Sequence, residues 1–173
     1  MLDLNSSDLN LPAYRGRTEP SKAQQRAVFY EVFDAVSGLS LPWQAKYPML
    51  ETGLEHARAV EHWVVTGITR AALLALVESD FSPSVVRRAH KVGGKERGRA
   101  LFTGEVSREE AFDYFIKHDR VTLTTKAEND TDGAAHWSEV FPLPPALFGW
   151  RTSYGISMTK GRKEWLAKFA ELQ

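Results

Sequence analysis

At 173 residues, with 43% hydrophobic and 25% charged side chains, the chain has the size and composition of one globular domain able to bury a core without covalent staples. The absence of cysteine excludes disulfides, thiolate zinc centres and a cysteine nucleophile, leaving His, Asp, Glu or Asn to hold any metal. Its 22 basic residues balance 22 acidic ones, which argues against a uniformly basic nucleic-acid binder, so any phosphate-binding surface must be local.

No apolar stretch approaches the roughly 20 residues needed to span a bilayer, and Met1-Leu-Asp-Leu-Asn-Ser-Ser-Asp8 lacks the basic start and apolar centre of a signal peptide. A cytoplasmic protein with no membrane partner is therefore expected. Residues 1–19 carry no sustained period and read as an N-terminal arm. Residues 20–173 read as a single α+β domain. No internal repeat, low-complexity tract or second domain is present.

The first strong element opens at Pro20-Ser21, where Gln24 completes a capping box. Val28, Phe29, Val32, Phe33 and Val36 then recur at helical spacing until Gly38. Leu39 to Pro48 reads as a loop because of its two prolines, and Met49 to about Ala59 as a second helix carrying His56. Trp63-Val64-Val65-Thr66 has the aromatic and β-branched character of a short strand turning at Gly67. Ile68–Glu78 is helical by period, with Leu73, Leu74, Leu76 and Val77 as core positions. Ser82-Pro83 starts a further helix through about Ala89.

The most basic part of the chain follows: Arg87, Arg88, His90, Lys91, Lys95, Arg97 and Arg99, interrupted by Gly93, Gly94 and Gly98. It reads as a glycine-rich loop that either meets a phosphate backbone or is simply solvated, and it lacks the spacing of a P-loop. Leu101-Phe-Thr103 suggests a short strand, and Ser107-Arg-Glu-Glu110 is a capping box for a helix to about Lys117. Arg120–Thr125 is β-rich, and Lys126-Ala-Glu-Asn129 is the polar start of a short helix. Asp130-Thr-Asp-Gly133 is a turn, and with His136 it offers an alternative carboxylate and imidazole group whose spacing is not that of an EF-hand. Phe141-Pro-Leu-Pro-Pro145 is extended, and a C-terminal helix after Gly161 presents Trp165, Leu166, Phe169 and Leu172 to the body.

Two stretches together carry chemistry: Glu61-His62-Trp-Val-Val65, and Asp119-Arg-Val-Thr-Leu-Thr-Thr-Lys-Ala-Glu-Asn129. This pair resembles the two halves of the HNH, or ββα-metal (His-Me finger), endonuclease motif, with a core at about residues 55–135. In that resemblance Glu61 and Glu128 stand at the metal-ligand positions, His62 at the general-base position and Asp119 at the position of the middle Asn. Val121, Thr122 and Leu123 fill the second strand. The sequence departs from the pattern in having Glu for Asp or His at both ligand positions, and Val65 where the family has Pro.

The resemblance implies metal-dependent hydrolysis of a phosphodiester, on DNA before RNA. His62 would activate water, Asp119 would orient the His62 loop, and Glu61 with Glu128 would hold Mg2+ or Mn2+, whose preference is for hard oxygen ligands. Arg97, Arg99, Arg151 and Lys160 are the candidate phosphate contacts. His118, adjacent to Asp119, is a rival base or ligand. The alternative is a non-catalytic accessory protein of phage or mobile-element type that binds nucleic acid or another protein through the basic loop and the aromatic C-terminal region, Trp150-Arg-Thr-Ser-Tyr154 with Lys160, Arg162 and Lys163. A homodimer remains open in either case.

Overall fold

The computed structural model describes residues 10–12, 18–130, 134–151 and 156–173. Most of the expected N-terminal arm, residues 131–133 of the expected turn (including Asp132) and residues 152–155 lie outside the described residues. The chain is an α+β domain, mainly helical, built on a small mixed sheet.

Helix α1 (Lys22–Ser37) starts where the capping box predicts, with Ser21 accepting the Gln24 amide and the Gln24 side chain accepting the Ser21 amide. Such a cap contributes about 1 kcal/mol. Its Phe29, Phe33 and Val36 are buried, each worth roughly 1.5–3 kcal/mol of burial.

Helix α2 (Trp43–Ala57) corrects the expected loop, because Pro48 lies inside it. The proline removes the amide that would have served the Gln44 carbonyl, but Gln44 and Pro48 are both exposed, so water can take its place. The stripe Tyr47, Leu50 and Leu54 faces inward and holds the helix together through packing.

Strand β1 (Val65–Thr69) runs through Gly67 instead of turning there, and α3 (Arg70–Glu78) begins behind a Thr69 cap. A Cβ on Gly67 would lie 3.2 Å from a Val140 methyl and 3.3 Å from the Thr122 hydroxyl, so glycine serves close packing at this irregular point of the strand. Leu73 and Leu76 of α3 are core residues, while Leu74 and Val77, also expected inside, are 54% and 44% exposed.

The helix expected from Pro83 is one turn only (Pro83–Val85), followed by strand β2 (Val86–His90). Residue by residue, β2 pairs antiparallel with β3 (Val121–Thr125), from Val86 opposite Thr125 to His90 opposite Val121. Tertiary pairing thus overrides local preference. The glycine-rich stretch is helix α4 (Gly94–Phe102), which also absorbs the strand expected at Leu101. A Cβ on Gly98 would fall 2.7 Å from the Tyr47 Cβ and Cγ, so this glycine lets α4 close on α2. Helix α5 (Arg108–His118) has its predicted capping box, and α6 (Lys126–Asn129) is the expected short helix. Strand β4 (Val140–Pro142) and helix α7 (Lys160–Glu171) complete the described elements named here.

The sheet order is β2-β3-β1-β4, with β1 parallel to β3 and the outer strands antiparallel to their neighbours. One apolar cluster joins the sheet to α3 and α7 through Val65, Ile68, Leu76, Leu123, Trp165 and Phe169. A second joins α1, α2, α4 and α5 through Phe29, Phe33, Leu50, Leu101, Phe112 and Phe115. Among the described residues no helix is long and apolar enough to cross a membrane.

Candidate functional site

Between the two clusters lies a buried polar group centred on Asp119. This residue ends α5 and precedes β3, so the helix terminus and the strand start both fix its position. Its side chain is 3% exposed and accepts four hydrogen bonds, two on each oxygen. Oδ1 accepts from the Arg97 guanidinium at 2.8 Å and from His90 Nε2 at 3.2 Å. Oδ2 accepts from the Trp63 amide at 2.7 Å and from His62 Nδ1 at 3.0 Å.

Burial alone would raise the Asp119 pKa, but the hydrogen bonds from His62 and His90 prevail and hold the carboxyl well below its ordinary value. An ionised carboxylate only accepts, so His62 Nδ1 and His90 Nε2 each carry the proton that faces it. Burial holds the His90 pKa below 6.5, more strongly than its bond to Asp119 raises it. The His62 ring lies parallel to Phe115 at 6.2 Å and its Nε2 has no hydrogen-bond partner among the described residues.

The cluster reaches the surface on two sides. Toward the sheet edge, Trp63 is held at a φ of 52°, a left-handed conformation that costs a bulky residue about 1–2 kcal/mol and that its amide bond to Asp119 helps sustain. Its ring meets His90 edge-on at 5.0 Å and lies under the Arg88 guanidinium at 4.3 Å. Trp63, Pro83, Val86, Arg87, Arg88 and Asn129 line an open cleft of about 330 Å³ there. Toward α2, Arg97 reaches Glu51 Oε1 at 3.3 Å, and the Tyr47 hydroxyl donates to the same oxygen at 3.0 Å. Arg97 Nε is buried without a partner among the described residues.

Of the residues singled out in the sequence, His62 and Asp119 are thus brought into contact. Glu61 and Glu128 are not. Because β1 and β3 run parallel, with Val65 opposite Val121, Glu61 precedes one strand and Glu128 follows the other at the opposite end. Strands of this length put those ends roughly 13 Å or more apart at about 3.3 Å per residue. Each carboxylate has partners of its own. Glu61 takes Lys22 at 2.6 Å and Arg120 at 3.1 Å. Glu128 takes the hydroxyls of Thr69, Thr125 and Ser138 and the amides of Thr125 and Ser138. This pair does not fit one shared Mg2+ or Mn2+ ion, and among the described residues no group of three His, Asp or Glu side chains is arranged to hold a metal.

The expected phosphate contacts divide in the same way. Arg97 is 2% exposed and committed to Asp119 and Glu51, which corrects its assignment to the surface. Arg151 donates to the Leu54, Glu55 and Val60 carbonyls and so closes the end of α2. Arg99 is paired with Glu105 at 3.3 Å and Lys160 with Glu164 at 3.8 Å, both on the outside. His118 lies against Tyr114 at 4.5 Å, away from the Asp119 contacts. Sequence reasoning missed Tyr47, Glu51, Trp63 and His90 as members of the site. For His90 the signal was present: Val86, Arg88 and His90 alternate as one face of a strand, once the residues after Pro83 are read with period two.

No family model, curated protein or solved structure matches this chain.

Proposed function

We propose that the protein is a nucleic-acid-binding module that contacts its partner along the β2 edge without cutting it. The observation that carries this reading is the cleft at Trp63, which Arg87 and Arg88 both line, with the Arg88 guanidinium over the indole ring. Guanidinium groups match phosphate oxygens, and a guanidinium lying on an indole makes a planar cationic surface on which a base can stack. Arg87 and Lys91, on β2 and just past its end, are exposed and make no ion pair among the described residues, so they can meet phosphate along this edge. Local placement of these cations accommodates the zero net charge of the chain.

Fluorescence anisotropy with labelled single-stranded and duplex oligonucleotides, over a range of salt, tests this. Arg87→Gln with Lys91→Gln should weaken binding and flatten the log–log salt slope by roughly two units, about one for each lost phosphate contact. An unchanged slope would remove the β2 edge from the interface, and no salt-dependent binding by the unaltered protein would end the reading.

A second reading, hydrolysis of the phosphodiester, is favoured by one observation. Asp119 holds His62 by Nδ1 and leaves Nε2 without a protein partner among the described residues, the arrangement of an oriented general base. With His62 only 2% exposed, that use requires the loop at Trp63 to open. Cleavage by the unaltered protein that a folded His62→Ala variant lacks would establish it over the binding role.

A further inference from the structure

The cluster's other outlet is a second concavity, between α2 and α4, of about 620 Å³, lined by Trp43, Gln44, Tyr47, Pro48, Glu51, Gly94 and Lys95. Its size lies within the range of small-molecule sites. We propose that it takes a nucleoside monophosphate group whose base carries an exocyclic amine, supplied either as a free nucleotide or as one unpaired nucleotide of a single strand.

Three groups on the walls match three parts of that ligand. Glu51 Oε1 accepts both the Tyr47 hydroxyl and the Arg97 guanidinium, while Oε2 receives no hydrogen bond among the described residues. The carboxylate is therefore held by two donors and retains an acceptor at the cleft, suited to the N–H of an amino-bearing base edge. Uracil and thymine, which flank their one imino N–H with carbonyl oxygens, fit this acceptor less well. Trp43, half-buried at the start of α2, offers an aromatic surface for stacking. Lys95 is exposed and makes no ion pair among the described residues, so a cation stands on the side of the cleft across from Glu51.

The backbone around Lys95 supports the phosphate end. Helix α4 spans nine residues, and its cap, Gly93, provides no side-chain acceptor for the first amides. Those donors, with the positive end of the helix, add to the charge of Lys95. A side chain at Gly93 would meet nothing within 4 Å, and the backbone there, φ −64° and ψ 155°, suits any residue. This opens a test that separates the site from the fold. Gly93→Asp should cap α4 and stabilise it, while its carboxylate occupies the amides and repels phosphate.

The experiment is calorimetric titration of the full chain with GMP, AMP, CMP, UMP, guanosine and inorganic phosphate, followed by 5′-phosphorylated single strands. The amino-bearing monophosphates should bind at least about tenfold more tightly than UMP, guanosine or inorganic phosphate, because only they engage all three walls. Lys95→Gln and Gly93→Asp should each weaken them about tenfold, the latter without lowering the melting temperature. A phosphorylated strand that competes with the nucleotide would make the strand end the ligand, and one that does not would make it the free nucleotide. Equal affinity for GMP and inorganic phosphate, or unaltered GMP binding by folded Gly93→Asp protein, would overturn the proposal. Arg87→Gln with Lys91→Gln should leave GMP binding intact, so failure of the β2-edge interface and failure of this pocket give different results.

Discussion

Asp119 and Glu128 are both buried carboxylates, and they stand just outside opposite ends of the same strand. Their surroundings differ in kind. Asp119 collects two imidazoles, a guanidinium and one amide, whereas the Glu128 partners given above are hydroxyls and amides that cannot change charge at ordinary pH. The Thr125 and Glu128 contacts form a capping box, so these Glu128 contacts start α6 and tie it to Thr69 and Ser138. Nothing so local explains Asp119, which joins five elements or loops and leads to both surface clefts. Burial of a carboxylate is common to both sites. A titratable shell is what distinguishes Asp119.

The largest test of this contrast is Asp119→Ala. It leaves Arg97 as a buried guanidinium with a weakened set of partners and frees the Trp63 amide, and should cost about 3–5 kcal/mol in denaturant unfolding. Glu128→Gln keeps the shape but turns a donor toward groups that are themselves donors, and should cost about 1–3 kcal/mol. If the two variants lose equal stability, the distinction between a charged hub and a neutral cap fails.

The pH dependence separates the sites with smaller effects. Burial would raise the Glu128 pKa, but the bonds from Ser138, Thr125 and Thr69 hold it down to about 2 from an ordinary 4.5. Its contribution is thus fully present above about pH 4.5 and is lost as the pH falls toward 2. His90 has a lowered pKa and is neutral in the fold, so the unfolded chain binds its proton more readily. Stability should therefore fall as the pH drops through 6.5, the ordinary histidine value. Unfolding free energy followed from pH 8 to pH 2 should show both declines. Glu128→Gln should reduce the acidic one to the part that Asp119 contributes and leave the one near neutrality, and His90→Gln should reduce the one near neutrality. A Glu128→Gln profile parallel to that of the unaltered protein below pH 4.5 would contradict the capping account.

Capping boxes at Ser21 and Ser107 were legible because donors, acceptors and helix start lie within four residues of each other. The α+β class followed from β-branched runs alternating with helical periods, and strand β3 from its own composition. Chain-local reasoning failed where a distant surface decided the outcome. Pro48 was tolerated because its side of α2 faces water, Gly98 because Tyr47 needed the space, and Val86–His90 became a strand because β3 was there to pair with it.

The candidate site divides along the same line. Sequence alone determined that an acid and an imidazole precede one β-prone segment and that carboxylates bracket another, which was enough to direct attention to His62 and Asp119. Only the tertiary structure decided which carboxylate meets which partner, because strand direction is not written in composition. An antiparallel pairing of β1 and β3 would have set Glu61 and Glu128 at the same end. The parallel pairing sends them to opposite ends and leaves Asp119 with His62, His90 and Arg97 at one of them.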